Sequence, residues 1–148
     1  MSRKVSTPAG LICGLLTIAA ALSLAIRIAN GTYDTATTPP GRVAIGALVV
    51  GILAAVEIWA ALHRGDALRA AVMWTIAIQL TLSGIGYGIA IDPISTWFVA
   101  AGIAGFAGAV AATSETTDKR RLLGLVPLAT LVTYTALWVV SDIVARRF

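Results

Sequence analysis

The sequence predicts an all-α fold: a polytopic membrane helical bundle of about five transmembrane helices, forming one domain over residues 1–148. Only 12% of residues are charged and 58% are hydrophobic, whereas roughly a quarter of residues are charged in an average soluble domain. The apolar residues also fall in blocks of about twenty, the length a helix needs to cross a hydrocarbon core roughly 30 Å thick. Inside that core an isolated segment satisfies its own backbone hydrogen bonds only as a helix.

The first span covers 9–29. A basic start before an apolar stretch is also the pattern of a secretory signal. The run from Pro8 to Ile26 is longer than the roughly 7–15 apolar residues of such a signal, however, so it reads as a span. "NGTYDTATTPPG" follows as a solvated loop in which Gly31, Pro39, Pro40 and Gly41 are helix breakers. The second span covers 43–62 and ends in "HRGD". There Gly65 can close one helix and Asp66 cap the next, making spans two and three an antiparallel hairpin. The third span, 68–91, stops at "DPIS", where Asp92 is placed to cap and Pro93 suits a first helical turn. The fourth covers 94–113. "SETTDKRR" is then a polar loop whose Asp118 can cap the fifth span, 121–145, with Pro127 bending it.

A formal charge of +4 does not signal nucleic acid, because the basic residues are scattered at block edges, where they set membrane orientation. With the N-terminus inside, the inner side receives Arg3, Lys4, Arg64, Arg69, Lys119, Arg120 and Arg121, and the outer side Arg42, Arg146 and Arg147. The balance predicts a multi-pass cell-membrane protein with a cytoplasmic N-terminus. The C-terminal "ARRF" is the misfit, since five spans place it outside. Trp59 and Trp74 fall toward the inner ends of their spans, and Trp97 and Trp138 toward the outer ends, as interfacial anchors do.

One carboxylate, Glu57, stands inside the apolar run of the second span. Charge in lipid is costly, so Glu57 should face the bundle, a cavity or another protein. It could tie to Arg64 two turns on or to another inner-side base, hydrogen-bond to a neighbouring subunit, or serve as a proton or cation site. On the third span Thr75, Gln79 and Ser83 recur every four residues. That polar face reads first as glue between helices and second as part of a transport path. At the outer side Arg27 and Asp142 stand at similar depth and could tie the first and last helices. Asp142 also lies four residues before Arg146, which favours a local pair.

Small residues form the third feature. Gly102, Gly105 and Gly108 line the fourth span, and Gly10 and Gly14 have GxxxG spacing in the first. Such faces admit close helix packing. They exceed what five helices need among themselves and so hint at partners. The single cysteine, Cys13, permits no intrachain disulfide, and the single histidine, His63, no bis-histidine haem. No metal site, cofactor, phosphate loop or nucleophile motif is expected.

The function these features favour is that of a non-enzymatic accessory or structural subunit of a larger membrane complex, partnered by the lipid bilayer and by other subunits or copies of itself. The alternative is a small oligomeric transporter or channel using Glu57 and the polar face of the third helix.

Overall fold

The computed structural model describes residues 3–31, 40–63, 67–86 and 93–147. The described residues form five helices in sequence: α1 (Arg3–Ala29), α2 (Pro40–Leu62), α3 (Ala67–Gly86), α4 (Pro93–Glu115) and α5 (Lys119–Arg147). All five are long and apolar enough to cross a membrane, as a small integral membrane protein requires. Polarity is distributed accordingly. Leu48, Leu128, Leu131 and Ile103 face outward, while Ser6, Thr17, Glu57, Arg69, Thr75 and Gln79 are buried.

Helix boundaries depart from the hydropathy blocks where local chemistry overrides them. α1 begins six residues before the expected span and carries Pro8 inside it. Pro8 is the sixth residue of α1, just past the four N–H groups that lack an intrahelical partner, so it forgoes one bond of the helical ladder near the helix start. At its other end Asn30 N–H bonds to Ile26 O at 2.9 Å, and Gly31 turns the chain away at φ 62°, a conformation open to glycine. Pro40 and Gly41 do not lie in the loop as expected. Pro40 opens α2, where its fixed φ is already helical. Likewise α4 runs on through Ser114 and Glu115, leaving 116–118 as the link. Asp118 caps α5 as expected, its Oδ1 accepting from Arg121 N–H at 3.1 Å, and α5 continues unbroken through Pro127. The turn at Gly65 and Asp66, the cap at Asp92 and the end of the third span lie outside the described residues.

The first four helices form a ring: α1 packs on α2 and α4, α3 packs on α4, and a slighter seam between α2 and α3 closes it. Glycines allow this closure. A Cβ on Gly10 would lie 2.7 Å from Ala61 Cβ and 2.8 Å from Met73 Cε. One on Gly105 would lie 3.1 Å from both Ala77 Cβ and Cys13 Sγ, and one on Gly108 would lie 2.8 Å from Met73 Cε. Gly14 backs onto Ile58 and Gly102 onto Thr81. All five glycines expected to pack helices therefore do so within this chain. The surplus that hinted at partners is consumed internally, because each ring helix must meet two neighbours.

By contrast, Gly46, Gly51 and Gly124 have nothing within 4 Å of a Cβ position. Alanine at any of these is expected to stabilise the chain by up to about 1 kcal/mol through helix propensity alone. Denaturant titration of the purified variants measures this, and a loss of stability at all three would contradict the packing.

α5 stands apart. It lies against α3, seated by Leu122 with Leu125 and Val126 beside the Met73 and Ala109 cluster.

Candidate functional site

Both charged partners of the largest polar cluster sit at helix ends that do not suit them. Arg69 lies in the first turn of α3, at the positive end of the helix dipole, and Glu115 closes α4 at the negative end. Their union offsets both. Arg69 Nη1 donates to Glu115 Oε2 at 2.8 Å, with side chains only 6% and 14% exposed.

The rest of the guanidinium spans the ring. Nη2 donates to Ser6 Oγ at 2.8 Å and Thr7 Oγ1 at 3.1 Å on α1, and to Ala61 O at 3.2 Å on α2. Nε donates to Ala60 O at 2.9 Å. Ser6 Oγ in turn donates to Glu115 Oε1 at 2.9 Å, and Thr7 Oγ1 donates to Ala61 O at 3.2 Å. The Ala60 and Ala61 carbonyls belong to the last turn of α2, where the regular helical donors run out; Ala60 O also accepts from His63 N–H at 3.3 Å. Arg69 therefore caps α2 from α3 while holding α1 and α4. Trp74 Nε1 adds a second α3–α4 link, donating to Thr113 Oγ1 at 2.7 Å.

Sequence reading counted Arg69 among the inner-side bases that set orientation, any of which could tie to Glu57, and placed Glu115 in a loop. The available signal was their position: a base opening one apolar span and an acid closing another, each opposed to its helix dipole.

Glu57 is fully buried, five residues before the end of α2. It faces the interior of its own chain, so the neighbouring-subunit reading does not fit it. Arg64, the other expected partner, lies outside the described residues. The Cys13 thiol from α1 lies beside the carboxyl and Arg69 acts on it electrostatically. Both Glu57 oxygens are buried without a hydrogen-bond partner. A buried polar group left in this condition costs roughly 1–3 kcal/mol, more if charged.

The expected polar face of α3 is partly spent on its own backbone. Thr75 is buried and donates to Ala71 O at 2.8 Å. Gln79 is 3% exposed with Nε2 unpartnered, and Ser83 is half-buried further along the helix. No hydrogen bond joins Gln79 to Glu57, since the groups that could make it are unpartnered.

At the other end of α5 the local option prevails: Asp142 Oδ2 pairs with Arg146 Nε at 3.0 Å. The proposed tie from Asp142 to Arg27 is not made, because α5 lies along α3 and away from the ring position of α1. His63 stacks on Trp59 with ring centroids 4.5 Å apart, a contact at the exposed end of α2. Among the described residues no three His, Cys, Asp or Glu side chains converge.

Comparison with family models, with curated proteins and with solved structures finds no match.

Proposed function

We propose that the chain is a non-enzymatic subunit of a larger membrane assembly and that α5 is the helix it offers to its neighbour. The supporting observation is the uneven use of the five spans. Within the most apolar stretch of α5 none of the residues is buried, against 56% for α3 and 28–39% for α1, α2 and α4.

α5 is also not a purely lipid-soluble helix. Its middle carries Thr130, Thr133, Tyr134 and Thr135, the side-chain types that hydrogen-bond between membrane helices at about 0.6 kcal/mol each. Thr130 Oγ1 is shielded yet has no hydrogen-bond partner, and Tyr134 is 56% exposed. The short link at 116–118 leaves the described part of the chain little apart from helix surfaces with which to act.

Site-specific photocrosslinking in native membranes tests this reading. A crosslinker at Leu131 or Tyr134 of α5 is expected to capture one defined membrane protein, while the same group at Ile103 of α4 captures lipid. Capture of lipid alone at all three positions would sink the proposal. A second copy of this chain, captured at α5, would replace it with self-association.

A further inference from the structure

Glu57 is left unexplained by any role in assembly. A scaffold gains nothing from a carboxyl buried within its own chain with both oxygens unpartnered, because an apolar residue of the same size would be cheaper there. What sets it apart is its position relative to the Arg69 cluster. Arg69 is anchored on the carbonyls of Ala60 and Ala61. These are three and four residues beyond Glu57, one helical turn or roughly 5 Å along α2. One guanidinium therefore bonds one carboxyl group and is anchored about one turn along α2 from a second. It engages Glu115 at 2.8 Å and acts on Glu57 across the remaining gap.

We propose that Glu57 is a proton-binding site whose occupancy decides which carboxylate Arg69 holds: Glu115 when Glu57 carries the proton, and Glu57 when it does not. The described geometry is the first state, with Glu57 as neutral acid and the four helix ends clasped. In the second, the carboxyl O–H breaks and its proton passes to water at the Arg69 end of the bundle. The new anion takes over guanidinium N–H donors from Glu115. Glu115 keeps Ser6 as donor and completes its shell with water, and the clasp on α1 and on the end of α2 loosens.

Among the described residues, the charged and titratable groups that face this exchange are Cys13 from α1, Arg69 from α3 and, beyond Arg69, Glu115 from α4. A proton fits this setting better than a metal cation does. Hard cations are held by several oxygen ligands, whereas the groups beside Glu57 are a thiol and a guanidinium. The proposal does not depend on the assembly reading, since every group in it belongs to one chain.

The test uses the full chain in lipid nanodiscs. Infrared difference spectroscopy reads the carbonyl stretch of protonated carboxyls across pH. Amide hydrogen exchange, corrected for its intrinsic pH dependence, reads the clasp at residues 5–9 and 59–63. The wild type is expected to show a protonated-carboxyl band that is absent from Glu57→Gln and disappears as pH rises. Over the same interval exchange at the clasp should rise by about tenfold, as local opening dictates. In Glu57→Gln, a neutral near-isostere, exchange should stay low throughout.

A wild-type spectrum with no band assignable to Glu57 at any pH overturns the site. A band that responds to sodium and not to pH also overturns it, in favour of a cation. A band that titrates while clasp exchange matches that of Glu57→Gln overturns the Arg69 exchange. Photocrosslinking at α5 is a separate readout, so failure here and failure of the assembly reading are distinguishable.

Discussion

Arg69→Met is expected to destabilise the chain by about 3–5 kcal/mol, the range for removing one partner of a buried ion pair. The size follows from what the side chain joins. Its loss strands the Glu115 carboxylate, deprives Ser6 and Thr7 of a shared donor, and uncaps the last turn of α2 at Ala60 and Ala61. Arg69→Lys should recover only part of the loss. An ammonium retains the charge but lacks the planar fork that reaches three other helices at once. The double variant Arg69→Met with Glu115→Met should be more stable than Arg69→Met alone, because no charge is then left buried without a partner. Unfolding titrations in detergent micelles, read by the intrinsic tryptophans, would measure all three. If Arg69→Met lies within about 1 kcal/mol of wild type, the cluster is a surface pair in effect and the structural argument fails.

Gly10→Val is the second large effect, an expected loss of about 2–3 kcal/mol from overpacking. Gly10 sits where α1, α2 and α3 meet, and the Ala61 Cβ it faces at 2.7 Å is fixed to a helix backbone and cannot turn aside. Gly108→Ala should cost less, because the nearest atom at 2.8 Å is Met73 Cε, the end of a flexible side chain. Gly105→Ala, with its neighbours at 3.1 Å, should cost less again. Chemical unfolding of each variant establishes the order. Were Gly10→Val to retain wild-type stability but lose association in membranes, the α1 face would be an external one and the ring would be wrongly drawn.

The ring glycines were legible in the sequence as small-residue faces, and the five spans as apolar blocks, because both are properties of composition at fixed spacing. The destination of those faces was not. Spacing states which residues share one side of a helix, but which neighbour that side meets depends on the closure of the ring. Glu57 was legible because a carboxylate inside an apolar run stands out against hydropathy. Its lack of a partner was not, since that depends on three other helices. Arg69 was obscured by a competing explanation: a base beside a short link is what membrane orientation requires, and its role as a clasp appears only once Ser6, Ala60 and Glu115 are brought to it. Asp142 marks the limit of depth arguments, because equal depth with Arg27 said nothing about which helices are adjacent.

The clasp also dictates an order of events during synthesis. Arg69 emerges with the third helix, but its acidic partner is the last residue of the fourth, and α1 shares its other face with that same fourth helix. A nascent chain of three helices therefore holds an arginine at the membrane boundary without its counter-charge, and a first helix with one flank open. Until α4 arrives, the insertion machinery or the lipid head groups must shelter them, so the bundle locks as a late and concerted step instead of growing helix by helix.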